Sequence, residues 1–425
     1  EVREINGQAG TVTQLLKTPK EQRTPSQENE LLEYYLLNVD RDYATNLAKI
    51  TRLRDEENQL LTDQPEVMTM RERREPRPSF VLNRGAYDAP KDRVDPATPH
   101  QLTAYNPKLP KNRLGLAKWL TSPRHPLTSR VIVNRFWAMT FGRGLVSSTD
   151  DFGNQGTLPT HPELLDWLAI RFTDSGWNPK AFMKTLVMSA TYRQSSVPSK
   201  QAKEADPDNS LLSRGPSFRL SAEMIRDNAL AASGLLARKI GGPSVYPYQP
   251  AGIWEALATR NKTHYEQGKG DDLYRRGMYT VWKRSSPPPS MVSFDAPERY
   301  FCVVNRQKTA TPLQSLVLMN DPQYVEASRV LAERMMREGG DTPEARVTFA
   351  FKALTSRSPR PAEMALLQQL YAEELPGFRK DTKRALQLLA TGEAKRDATL
   401  DPAQLAACTV VASTVMNFDE TVMKR

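Results

Sequence analysis

The chain has 425 residues, of which 39% are hydrophobic and 25% charged. That balance is ordinary for a globular protein with room for two or three domains or one large helical body. Lysine plus arginine number 59 against 49 aspartate plus glutamate, a net charge of +10, but the cations are scattered among acids, which argues against a nucleic-acid-binding face.

Thirty-two prolines against 21 glycines point to long ordered connections rather than flexible linkers. Cys302 and Cys408 are the two cysteines, too few for a disulfide framework. The sequence has no CxxC, no CxxCH and no histidine pair at i, i+4, so no metal and no covalent haem is expected on this chain. No apolar run approaches the ~20 residues that span a bilayer. A start at Glu1 reads as a processed terminus or as part of a longer polypeptide.

In chain order, residues 1–64 are expected to hold a helical hairpin or arm. Leu32, Leu36, Val39, Tyr43, Leu47, Ile50 and Leu53 recur at three- and four-residue steps, with a break at Asn38–Asp40 and Asp40 capping the second helix. The heptad fails at Arg54 and Glu57, which favours a hairpin laid against a larger body over a coiled-coil arm. Residues 65–111, with Pro65, Pro76, Pro78, Pro90, Pro96, Pro99, Pro107 and Pro110, read as an extended strap with a short strand at Ser79–Asn83.

Residues 112–242 read as a helical block. Helices are expected over 113–120 and over 129–141, the latter ended by Gly142. A third opens at the capping box Thr160-His-Pro-Glu163, a fourth follows Pro179, and a fifth over 220–240 is capped by Ser221 and stopped by Gly241-Gly242. Residues 243–308 are irregular, with a strand over Arg276–Arg284 and a rigid turn at Pro287–Pro289. Residues 309–425 return to helices, about 311–318, 322–337, 343–354, 360–373, 377–391 and 401–417. The fold class is mainly α: a large multi-helix body with a few short strands and long proline-rich connections.

Two constellations can carry chemistry. Arg130, Asn134 and Arg135 lie in the otherwise apolar run Arg130–Val146. A buried arginine demands acceptors, and Asp150 and Asp151 follow at once, so the expectation is a structural ion cluster. Asp150, Asp151 and His161 could also do acid–base work, although caps and ion pairs account for each of them. The second constellation surrounds the triple proline: Lys283, Arg284, Asp295, Glu298, Arg299 and Arg306, with Trp254, Tyr265, Tyr279 and Trp282 as aromatic faces. It reads equally as a binding mouth for an acidic or polyhydroxylated ligand and as a charged joint between helical blocks. Gln314 and Asn320 are expected to fix the loop around Asp295. Nucleophile-elbow, phosphate-loop and dinucleotide fingerprints are absent from the sequence, and Asp151-Phe-Gly153 matches a kinase triplet by letters only.

Eight ordered segments carry a family resemblance: Arg113–Leu120, Arg130–Val146, Asp150–Trp167, Ala190–Arg193, Asp206–Asn209, Gly242–Ser244, Tyr279–Pro297 and Thr309–Pro322. Over about 65–425 the chain resembles a domain-of-unknown-function family of Planctomycetes and Verrucomicrobia found beside planctomycete-type cytochrome c domains. The resemblance implies an exported, periplasmic protein in a hetero- or homo-oligomer, with haem c on a partner chain or domain and genomic links to polysaccharide use. Three functions are therefore weighed. The first is a structural or substrate-binding subunit docked on a c-type cytochrome-bearing partner. The second is a catalytic or binding module for an anionic polysaccharide or polyol, with His161, Asp150, Asp151 and Asp295 as catalytic candidates and Lys283, Arg284, Arg299, Trp282 and Arg306 holding substrate. Nucleic-acid binding is a distant third. Whether the chain is an enzyme stays open in its residues.

Overall fold

The computed structural model describes residues 12–62, 64, 67–256 and 264–424; Glu1 and Pro65 lie outside them. The chain divides into two compact units, Glu1–Pro96 and Ala97–Arg425. The fold is mainly helical, with two two-stranded sheets among the described residues.

In the first unit, α1 (Pro25–Asn38) and α2 (Arg41–Thr62) form a hairpin. Thr24 and Gln27 close a capping box at the start of α1, and the Asp40 carboxylate accepts the Tyr43 amide at 2.9 Å to cap α2, as its position predicts. No side chain of either helix is buried. β1 (Ser79–Leu82) and β2 (Pro90–Val94) pair antiparallel, with an irregularity between Phe80 and Leu82. The strand expected at Ser79 is therefore half of an exposed hairpin within the proline-rich stretch.

The second unit opens with α3 (Arg113–Leu120), α4 (Thr128–Phe141), α5 (Pro162–Asp174) and α6 (Pro179–Val187). Val133, Trp137 and Phe141 on α4 meet Leu165, Leu168 and Phe172 on α5 and Phe182 and Leu186 on α6 in one apolar cluster. Their three- and four-residue spacing is what puts them on facing stripes. Gly142 ends α4 at φ 84°, a left-handed conformation that glycine adopts without a Cβ penalty.

The larger core lies between α7 (Ala222–Ser233), α8 (Pro312–Asn320), α9 (Pro322–Glu338), α10 (Pro343–Thr355), α11 (Pro361–Lys380), α12 (Thr382–Leu389) and α13 (Pro402–Met416). α13 carries Leu405, Ala406, Ala407, Val411, Ala412 and Val415 at 0% exposure. It is apolar around its whole circumference, the pattern of a helix enclosed by others, and it packs on α9, α10, α11 and α12. β3 (Phe218–Arg219) pairs antiparallel with β4 (Met423–Lys424), tying the end of the chain to the segment before α7.

Four expectations change. α7 ends at Gly234, φ 87°, seven residues before the glycine pair predicted to stop it. Residues 276–284 form no strand; Gly277–Tyr279 makes a single short helical turn, and isolated bridges such as Val245 with Thr280 join the segment to the rest. α11 runs on through Pro376 where a break was expected, because Leu367 and Phe378 on either side are both buried in the same core. The Thr160–Glu163 box does not form: His161 takes the cap position of α5 without a side-chain cap bond, and the Thr160 hydroxyl turns to the Leu145 carbonyl instead.

Candidate functional site

The Arg130–Val146 run holds its polar groups by two separate means. Asn134 is fully buried, and its amide both donates to the Val146 carbonyl and accepts the Val146 amide, each at 2.9 Å. This double bond folds the loop after α4 back on the helix. Gly144 lies so close beneath it that a Cβ there would stand 2.4 Å from the Val146 carbonyl oxygen. Arg130 is half-buried; its Nε donates to Asp166 at 2.6 Å and its Nη1 to the Pro126 carbonyl. The acceptor predicted at Asp150 or Asp151 is thus Asp166, one turn into α5. The Arg130 guanidinium holds the Asp166 carboxyl below the usual carboxylate range. Arg135 faces solvent without an ion pair among the described residues.

The acid–base candidates are taken up locally. Asp151 accepts the Gly153 amide at 2.7 Å in a tight turn, Asp150 is exposed, and His161 Nδ1 contacts the Thr160 hydroxyl at 3.0 Å. A cleft of about 560 Å³ is walled by Arg130, Asp166, Phe152, Thr157 and Leu158, and Asp150, Asp151 and His161 do not line it. Asp295 belongs to the other constellation. It adopts φ 60° and accepts both the amide (2.7 Å) and the hydroxyl (2.9 Å) of Thr309. Gln314, buried on α8, donates to that same hydroxyl at 3.1 Å, whereas Asn320 bonds within its own helix. No hydrogen bond or ion pair joins Asp295 to His161, Asp150 or Asp151. No cluster of three or more His, Cys, Asp or Glu suited to a metal occurs among the described residues.

Around the triple proline, the cations sit on the rings. Lys283 Nζ lies 4.5 Å from the Trp254 ring centre, the Arg299 guanidinium 4.5 Å from Trp282, and Arg284 5.6 Å from Tyr300. Arg275 covers Tyr279 at 3.8 Å. Cation–π attraction explains these pairings, and they cap one face of Trp254, Tyr279 and Trp282, three of the four rings offered as stacking platforms. Lys283, Arg284 and Arg299 form no ion pair among the described residues, whereas Arg306 is paired with Glu223 at 2.9 Å. Tyr246, Trp254 and Tyr265 meet edge to face behind this rim.

The most deeply buried charges escaped the sequence reading. Arg226, 3% exposed, donates to Gln323 at 2.6 Å and to the Leu273 carbonyl at 2.8 Å. Glu326, Arg329 and Glu333 share one face of α9. Arg329 bonds Glu333 at 2.7 Å, and Glu326 accepts the Tyr274 hydroxyl and the Ala394 amide. Their i, i+3 and i, i+4 spacing looks like a solvated helix surface; only the apolar residues on the neighbouring faces of α9 signal that the helix is enclosed. Burial and the nearby Glu326 carboxylate push the Tyr248 hydroxyl up to about 12. These groups clamp the 391–399 loop onto α9.

The description of one protein family, PSD1, a protein of unknown function (DUF1553), matches residues 112–371. No curated protein and no solved structure matches the chain.

Proposed function

The chain belongs to the PSD1 family of proteins of unknown function (DUF1553), and on that premise we propose that it is an interaction subunit of a larger, exported assembly rather than the catalyst in it. The observation that carries this reading is an exposed apolar segment in the second unit. Phe301 is 73% exposed, and α8 turns Leu313, Leu316 and Met319 outward at three-residue spacing, each more than half exposed. Three outward apolar side chains in a row on one helix are the kind of exposed patch that marks a binding surface. The scatter of the acid–base candidates, each spent on a local bond or left in solvent, weighs against catalysis. The resemblance to a cytochrome c-associated family of Planctomycetes and Verrucomicrobia names the kind of partner: a periplasmic chain or domain carrying haem c, with acidic surface to suit a net charge of +10.

Purification of the tagged full-length protein from its source, followed by a visible spectrum, tests this. The narrow ferrous haem c band should accompany the wild-type chain and be lost with Leu313→Glu/Leu316→Glu. A colourless, solitary wild-type protein would sink the proposal.

A second reading has its own observation. Lys283, Arg284 and Arg299 stand on aromatic rings without carboxylate partners, a surface suited to an anionic polysaccharide. Retention on a sulfated polysaccharide column that falls with salt and with Arg284→Ala/Arg299→Ala supports it. Elution of wild type and variant at the same salt eliminates it. Neither reading calls for binding of nucleic acid.

A further inference from the structure

The α1–α2 hairpin is patterned for burial yet buries nothing. Tyr43, Leu47 and Ile50 follow one another at four- and three-residue steps along α2 and are 41%, 36% and 47% exposed, so they form one open stripe. Beside it, Leu37 and Leu47 wall a shallow groove floored by the small residues Ala44, Ala48 and Thr51, relief that can receive a ridge from another helix. Two antiparallel helices with an open apolar face are half of a four-helix bundle. We propose that a second copy of this chain supplies the other half, hairpin against hairpin, about a two-fold axis at Leu47.

Charge placement selects that occupant and that axis. A two-fold axis crossing α2 sets residues at equal distances before and after it opposite one another in the two copies. With the axis at Leu47, Ile50 meets Ala44, three positions to either side, and Arg54 meets Asp40, seven positions to either side. Arg54 interrupts the apolar stripe and has no ion pair in the hairpin. Asp40 spends one carboxylate oxygen on the Tyr43 amide and keeps the other free. Glu57, the second interruption, then falls beyond the first residue of the facing α2, in solvent. An axis midway between Leu47 and Ile50 would instead stand Asp40 against Glu57, two acids.

The size of the face sets the strength. Two helices side by side, each about 10 Å across, over the ~20–30 Å of the hairpin, offer on the order of 500 Å² per copy. That is below the roughly 800 Å² per partner of a tight interface, so the association belongs in the micromolar range.

The test uses the full chain. Sedimentation from low to about 100 μM, well above a micromolar dissociation constant, should show a reversible monomer–dimer equilibrium. Leu47→Glu should abolish it with helical content unchanged, because the site is exposed, and Arg54→Glu should weaken it by about fivefold. In a Cys302→Ser background, Leu47→Cys should cross-link the two copies on mild oxidation. Leu61→Cys, 14 residues farther and so about 21 Å from the axis, should not. A monomer at the highest concentration, a dimer that Leu47→Glu leaves intact, or equal cross-linking at both positions would each overturn the proposal.

Discussion

Replacing Asn134 with leucine isolates one interaction. The two side chains are of similar size, so packing on α4 is kept while both bonds to Val146 are lost. Asn134 and Val146 are 0% and 3% exposed, so water cannot take the place of the amide. A buried backbone group left without a partner costs about 1–3 kcal/mol, and here two are stranded, giving roughly 2–6 kcal/mol. For a unit of this size each kcal/mol lowers the melting temperature by about 2 °C, so a fall of roughly 4–12 °C is expected. Hydrogen exchange followed by mass spectrometry gives the local reading: the Val146 amide should exchange faster by a factor of tens or more, while amides in α13 slow down or speed up only with global stability. If Asn134→Leu melts within about 1 °C of wild type and Val146 stays protected, the loop is held by packing and the double bond is incidental.

Three further outcomes follow from named contacts. The Arg357 guanidinium, bonded to Glu363 and Glu420, brings the Glu363 carboxyl down to about 2. A depressed carboxyl stabilises the fold above its unfolded pKa and loses that contribution as pH falls through the folded one. Arg357→Met should therefore remove part of the acid sensitivity between about pH 4.5 and 2, read as a flatter decline of melting temperature with pH; an unchanged slope contradicts the pairing. Phe351→Ala, at a fully buried site on α10, should cost about 3–5 kcal/mol in denaturant unfolding, and a loss under ~1 kcal/mol would mean the core collapses around it. Gly392→Ala places a Cβ 2.2 Å from the buried Glu326 carboxyl carbon, whereas Gly241→Ala meets nothing within 4 Å, although both glycines have φ above 80°. Gly392→Ala should be clearly the more damaging in thermal melts, and equal losses would show that backbone strain alone matters there.

Periodicity made the helices legible. Where apolar residues recur every three or four positions, as in α4, α5, α9 and α13, the predicted element exists. Helix ends were legible where a single residue decides them, as with Asp40, Gly142 and Ser221. They were missed where two signals competed. Gly234 follows Ser233 within an Ala-rich stretch and gives a quieter stop signal than Gly241-Gly242, and Pro376 should break a helix but is overridden by packing at Leu367 and Phe378. The ion pairs were harder still. Local sequence offered Asp150 and Asp151 to Arg130, but the partner sits on the facing helix, a distance in sequence that only tertiary packing closes. Arg226 reads as one polar position on an Ala-rich helix; the carbonyls that satisfy it come from a turn almost fifty residues away.

The enclosure of α13 has a consequence for synthesis. Every long helix it packs against precedes it in the chain, so a ribosome that has released residues up to Asp401 has exposed the apolar faces of α9, α10 and α11 with nothing yet to fill the space between them. The helix that completes the interior is the last long one of this core to emerge. This half of the protein therefore cannot close stepwise during translation. It must wait in a loosened, aggregation-prone form until the final turns arrive, and a nascent chain stalled anywhere before α13 is a natural client for chaperones.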